Sequence, residues 1–275
     1  MQVLMENPRL SEFASLVQSG HINSFRGPLK VGVDLGTANI VMAVVDEQNR
    51  PVAGMTKASK VVRDGIVVDY VGAVQAIREM KGRLETKLGV TLTKAATAIP
   101  PGILDGNVRC IVNCVEGADL DVTNVLDEPT AASTILDISS GAVVDVGGGT
   151  TGISILKDGN VIYSADEATG GTHMTLVLAG YEGISFDEAE RMKQNPERES
   201  DLFPIVKPVV EKMATIVKRF ITGYDVEAIY VVGGACSFTE FESVFEKILH
   251  IPVWKPNDCL FVTPLGIAVN ESWEE

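Results

Sequence analysis

A chain of 275 residues with a formal net charge of −14 repels nucleic acid and anionic membrane, so neither is expected as its main partner. Hydrophobic residues at 45% and charged residues at 22% exclude a disordered chain and leave ample material for a core. No stretch approaches the roughly eighteen apolar residues of a membrane span, and the first residues lack a basic-then-apolar leader. A cytoplasmic protein is expected, its four cysteines serving as reduced thiols.

Pro8 to Gln18 places Leu10, Phe13, Leu16 and Val17 on one face of a short helix, and Ser19 to Pro28 is a polar linker. Two readings stay open: a terminal helix docked on its own domain, or a detachable amphipathic tag that lays its apolar face in a partner's groove.

Val31 to Asp46 (VGVDLGTANIVMAVVD) then reads as strand, tight loop at Asp34-Leu35-Gly36-Thr37-Ala38, and strand. Val61 to Asp69 is strand and turn, with Asp69 capping a helix that runs to about Leu88. Thr97 to Ile99 is a short strand. A helix from Asn107 to Gly117 puts Cys110 and Cys114 on one face, where buried thiols acting as small hydrophobes outweigh a metal site lacking its remaining ligands. Val122 to Val125 is a strand leading into Asp127-Glu128-Pro129-Thr130-Ala131-Ala132, a helix N-terminus. Glu128 therefore stands at a strand-to-helix junction, where ligands gather in open α/β sheets.

The first device recurs in VVDVGGGTTGISIL, Val143 to Leu156: a buried strand carrying Asp145, then Gly147-Gly148-Gly149 before Thr150, then an antiparallel strand to a turn at Asp158-Gly159. Consecutive glycines let backbone N–H groups face an anion without Cβ interference. A loop joining two strands is neither a Walker loop nor a dinucleotide fingerprint, both of which open a helix. Two such hairpins facing each other across a cleft could clamp a triphosphate. Asp34 and Asp145, too negative to touch phosphate, would then hold Mg²⁺ through water.

Gly170-Gly171-Thr172 precedes a helix to about Ala179, and Ser185 with Glu188 forms a capping box for Phe186 to Gln194. Asn195 to Asp201 is expected to be a mobile polar stretch, and Lys207 to Thr222 an amphipathic helix. Ala228 to Val232 is a buried strand that breaks at Gly233-Gly234-Ala235, where something flat could lie against the backbone; Ser237 is expected to cap the helix beyond.

Taken in order, Asp34-Leu35-Gly36-Thr37, Glu128-Pro129-Thr130-Ala131-Ala132, Asp145 through Thr150 and Val232-Gly233-Gly234-Ala235 resemble the actin-like ATPase superfamily of sugar kinases, actin, MreB and DnaK-type chaperones. The likeness covers about Leu29 to Asn270. Within the superfamily, the first hairpin, the segment VVRDGIVVDYVGAV and the short length are most similar to the chaperone-like family of ethanolamine-utilisation operons.

This resemblance implies a two-lobed α/β fold, each lobe a mixed sheet flanked by helices, with ATP and Mg²⁺ in the cleft. Residues 1–28 would be helix and linker, 29–140 lobe I and 141–275 lobe II. It implies that Asp34 and Asp145 position the hydrated metal, that Gly36, Thr37, Ala38, Gly147, Gly148, Gly149 and Thr150 hold phosphates, and that Glu128 orients the attacking water. Glu190 and Lys193 of Glu190-Arg191-Met192-Lys193 would reach the ribose and adenine side, unless they are an ordinary solvated helix face. Gly233, Gly234 and Ala235 would form the adenosine turn.

The lysine that DnaK-type chaperones place near the leaving phosphate has no motif here: Lys57, Lys60 and Arg63 lie in the right region only, so hydrolysis is expected to be slow or absent. By resemblance, lobe closure would act on a protein client, an enzyme or shell component of the ethanolamine pathway, beside a bacterial microcompartment. The alternatives are a nucleotide-controlled filament or scaffold, a small-molecule kinase, and, through Cys110 and Cys114, an activator with an iron–sulfur cluster at a dimer interface. Oligomer formation stays open.

Overall fold

The structure, a computed structural model, describes residues 6–272. The chain begins with α1 (Pro8–Ser19), followed by a meander of β1 (Leu29–Leu35), β2 (Asn39–Asp46) and β3 (Pro51–Ala58). Two short strands, β4 (Val62–Arg63) and β5 (Ile66–Val67), precede α2 (Tyr70–Leu88), β6 (Lys94–Ile99), α3 (Asp105–Glu116) and β7 (Asp121–Asp127). Helix α4 (Glu128–Leu136) leads to a second meander, β8 (Gly141–Val146), β9 (Thr151–Lys157) and β10 (Asn160–Glu167). Then follow α5 (Gly171–Glu182), α6 (Phe186–Lys193), α7 (Glu199–Ile221), β11 (Ile229–Val232), α8 (Phe241–Leu249), β12 (Val253–Trp254) and α9 (Val262–Val269).

The hairpin repeat extends to whole sheets. One has the order β3-β2-β1-β6-β7, the other β10-β9-β8-β11-β12. In each, the meander is antiparallel and the two further strands add in parallel beside the first strand of the meander. The third strands, β3 and β10, carry little sequence signal. β3 opens on Pro51 and contains Gly54, while β10 exposes Val161 and Ile162.

Strand alternation decides what faces the cleft. In β2, Ile40, Met42 and Val44 enter a core with α2 and α3, whereas Val41, Ala43 and Val45 enter another core with α4 and α9. By the same period, Val31, Val33 and Leu35 of β1 face α2, and Gly32 and Asp34 face the opposite side. In β8, Ala142, Val144 and Val146 join the core under α5, α7 and α8, while Val143 joins the core shared between the sheets and Asp145 follows it in phase. Both aspartates thus point between the sheets.

The shared core is held by α4 and α9, which pack closely enough that a Cβ on Gly266 would lie 2.0 Å from the Ala131 carbonyl oxygen. Helix α1 completes it. Leu10, Phe13 and Ala14 are buried there, Phe13 meets Phe261 edge-on at 5.7 Å, and Asn7 Nδ2 donates to the Ile135 carbonyl at 2.8 Å. Of the two readings of this helix, the docked one describes the structure.

Three expectations need correction. Helix α7 starts at Glu199, not Lys207, and runs through Pro204 and Pro208; the stretch expected to be mobile is a single 3₁₀ turn, Pro196–Arg198, and the first turn of α7. An interior proline costs about 3 kcal/mol, but Leu202, Phe203 and Val206 continue the buried stripe of Val209, Val210 and Met213, and their burial offsets that cost. Ser237 does not cap α8. It closes a 3₁₀ segment, Gly234–Ser237, its Oγ donating to the Gly234 carbonyl at 2.7 Å, and α8 begins at Phe241 without a side-chain cap.

Candidate nucleotide site

Between the sheets lies a cavity of about 530 Å³. All fifteen residues singled out in the sequence line it: Asp34, Gly36, Thr37, Ala38, Glu128, Asp145, Gly147, Gly148, Gly149, Thr150, Glu190, Lys193, Gly233, Gly234 and Ala235. Three of them come from strand ends. Asp34 is the penultimate residue of β1, Asp145 that of β8, and Glu128 follows β7 directly as the first residue of α4. Asp127 fixes that junction, accepting from Thr130 N at 2.9 Å, Thr130 Oγ1 at 2.6 Å and Ser154 Oγ at 3.0 Å.

The two hairpin loops meet. A Cβ added to Gly148 would lie 2.9 Å from the Ala38 Cβ, and one on Gly149 would lie 2.7 Å from Thr37 Oγ1. The second loop is closed by Gly147 N–H donating to the Thr150 carbonyl at 3.0 Å, while the first amides of α5 donate to the Gly147 and Gly148 carbonyls at 2.9 and 2.8 Å. With carbonyls engaged this way, the amides of Thr37, Gly148 and Gly149 donate no hydrogen bond among the described residues. Unengaged amides beside a cavity are the elements of an anion cradle.

The carboxylates are held in an environment that disfavours their charge. Burial, and then Asp145, push Asp34 up to about 7. Burial raises Asp145 to about 6 against a hydrogen bond from Thr263 Oγ1. Glu128 is raised well above the carboxylate range by burial and then by Asp145, Asp34, Asp166 and Asp127. Such a cluster calls for a cation, and an all-oxygen donor set suits a hard one. Among the described residues no three acidic, histidine or cysteine side chains converge as a direct ligand set, so an ion placed here would keep waters in its shell.

At the other end, Lys193 Nζ donates to Glu190 Oε2 at 2.7 Å, Thr175 Oγ1 at 2.8 Å and the Gly171 carbonyl at 3.1 Å. The pair is partly buried, not a solvated helix face. Burial pushes Lys193 below its usual range against the pull of Glu190. Burial alone would raise Glu190, but the Lys193 charge and hydrogen bond outweigh it and hold the carboxylate low. The three basic residues left without a motif are not in the cavity wall. Lys57 pairs with Glu79 of α2 at 2.5 Å, and Lys60 crosses the cleft to Asp187 of α6 at 2.6 Å. Cys114 is a core residue whose thiol is pushed up to about 12, chiefly by burial.

Sequence reasoning missed Thr263 and Asp166. Thr263 donates to Asp145 Oδ2 from the first turn of α9; the Thr263-Pro264 pair marks a helix start, yet nothing local ties it to a strand 118 residues away. Asp166, on β10 opposite Gly152 of β9, is raised to about 6 by burial, and its Oδ1 is buried without a hydrogen-bond partner. It carries no sequence signal, because an edge strand with a bulge hides its register.

The geometry has relatives. The ethanolamine utilization protein EutJ of Salmonella typhimurium is 46% identical over 262 residues, spanning 95% of this chain and 92% of that one. The chain belongs to the EutJ family. A crystal structure of EutJ from Carboxydothermus hydrogenoformans superposes with a TM-score of 0.91 at 46% identity, covering 96% of this chain and 97% of that one. Beyond the family, residues 129–258 match the model of the type IV pilus assembly protein PilM and residues 49–182 that of the MreB/Mbl protein. MreB5 of Spiroplasma citri, in a structure bound to AMPPNP, shares the fold at a TM-score of 0.72 and 15% identity, covering 90% of this chain and 96% of that one. The EutJ fold seen here is thus the actin-like ATPase fold, in which that neighbour carries its nucleotide.

Proposed function

We propose that the chain binds Mg-ATP between its lobes, hydrolyses it slowly, and uses lobe closure to act on a protein client in ethanolamine utilisation. The carrying observation is the meeting of the two hairpin loops, with unengaged amides at Thr37, Gly148 and Gly149, beside the carboxylates of Asp34, Asp145 and Glu128. Bound Mg²⁺ would supply the charge that offsets the triphosphate and these carboxylates. Asp34 and Asp145 orient its water shell, and Thr263 holds Asp145 in place. Backbone amides of both loops donate to phosphate oxygens. Glu128, fixed at the start of α4 by the Asp127 cap, orients the attacking water. Glu190 and Lys193 face the nucleoside end with the Gly233-Gly234 turn.

The names of the relatives support placing the client in ethanolamine utilisation; we infer that it is an enzyme or shell component there, in the cytoplasm beside a microcompartment. Calorimetric titration with Mg-ATP tests the site: wild type should bind with a Kd in about the micromolar range, and Asp145→Ala should not bind. Wild-type protein that binds no nucleotide would overturn the reading. For the client, immobilised Glu128→Ala loaded with ATP should retain an ethanolamine-pathway protein that Asp145→Ala releases; equal retention by both would sever client binding from nucleotide.

A further inference from the structure

The stretch expected to be mobile sets two polar side chains against the far end of the cavity. Asn195 precedes the 3₁₀ turn Pro196–Arg198 and Glu199 opens α7, and both line the wall that continues from Glu190 and Lys193. Their hydrogen bonds decide which atoms stay available. Asn195 Oδ1 accepts from Glu197 N–H at 3.0 Å, which leaves the amide Nδ2 as its free end. Glu199 Oε1 accepts from Thr239 N–H, tying the start of α7 to the segment after the glycine turn, while its Oε2 accepts nothing among the described residues.

The neighbouring groups are already spent. Lys193 Nζ has three hydrogens and places them on Glu190, Thr175 and the Gly171 carbonyl. Both oxygens of Glu190 are engaged, Oε2 by Lys193 and Thr175 and Oε1 by Gln194 Nε2 at 2.9 Å. Ser237 Oγ donates to the Gly234 carbonyl. Glu199 Oε2 is therefore the carboxylate oxygen left over at this end, and a carboxylate oxygen demands a donor.

We propose that Glu199 and Asn195 select adenine as the base, Glu199 Oε2 accepting the exocyclic amine and Asn195 Nδ2 donating to a ring nitrogen on the same edge. This rests on the nucleotide site proposed above and adds the identity of its base. Adenine carries a donor beside an acceptor, which the pair matches atom for atom. Guanine carries two adjacent donors on its pairing edge, which a carboxylate meets best with both oxygens, and Thr239 already holds Oε1. Turned the other way, guanine brings its carbonyl oxygen against Glu199, acceptor against acceptor.

The test is equilibrium binding to the full chain, read by displacement of a ribose-labelled fluorescent ATP, with ATP, GTP and purine riboside triphosphate, which lacks the amine. Wild type should bind ATP tighter than the amine-free analogue by about ten- to a hundredfold, the worth of one hydrogen bond to a charged group, and should also prefer ATP to GTP. Glu199→Ala should erase the ratio between ATP and the analogue, whereas a purely structural loss would weaken both and keep the ratio. Glu199→Gln retains an acceptor for Thr239 N–H and gains an amide that donates to the guanine carbonyl, so it should narrow the preference over GTP. Equal wild-type affinity for ATP and the analogue, a ratio unmoved in Glu199→Ala, or GTP bound as tightly as ATP overturns the assignment while leaving the nucleotide site standing. Protein that binds none of the three overturns the nucleotide site, and base selection with it.

Discussion

Asp34 shows how one side chain reports on the whole cleft. Its pKa is raised from the ordinary 3.8 to about 7 by burial and the neighbouring Asp145. In the metal-free protein the folded state therefore holds a proton that the unfolded chain releases. Stability from this group is complete below the unfolded value of 3.8 and is lost as pH rises to about 7. The difference in melting temperature between Asp34→Asn and wild type should accordingly grow in favour of the variant over that interval without Mg²⁺, and shrink when Mg²⁺ is added. A difference independent of pH would mean that Asp34 is not held in this environment. Asp46 has the opposite sign. Burial would raise it, but the Arg50 side chain and the amides of Arg50 and Gln48 hold it below its usual range, so its contribution disappears only as pH falls through that lowered pKa.

Among the elements, α1 and the α4–α9 crossing carry the most structural weight for their size. Phe13→Ala removes a buried ring that fills the space over Gly54 and meets Phe261, and should cost about 3–5 kcal/mol by denaturant unfolding. An unchanged midpoint would return α1 to the status of a detachable tag. Gly266→Ala drives a methyl into the Ala131 carbonyl and should cost about 1–3 kcal/mol, with weaker nucleotide binding because Thr263 and Glu128 sit at the starts of these two helices. By contrast, the Lys60–Asp187 bridge is exposed at both ends, so Lys60→Ala should leave the denaturant midpoint nearly unchanged. Elements with a clean period were legible in sequence. β1, β2, β8 and β9 announce themselves by alternation, and α2 by its Asp69 cap and core stripe. Those set by tertiary burial were not: α7 passes through two prolines, and β3 and β10 depend on neighbours already in place.

At the scale of the molecule, the four motifs were readable because each needs a particular backbone, and together they mark one cavity. What the sequence withheld are partnerships across long separations: Thr263 with Asp145, Asp166 opposite Gly152, Lys60 across the cleft to Asp187. Two sheets with the same strand order are joined through a core that draws on both, and on the function proposed above closing the lobes would move Asp34 and Asp145 together. The central claim is that this frame turns over ATP through Glu128. Phosphate release with Mg-ATP, measured beside nucleotide binding, tests it most directly. Wild type should release phosphate slowly, and Glu128→Ala should be slower by about 10²–10⁴-fold while binding stays within about threefold. Equal turnover by the two proteins would contradict the account.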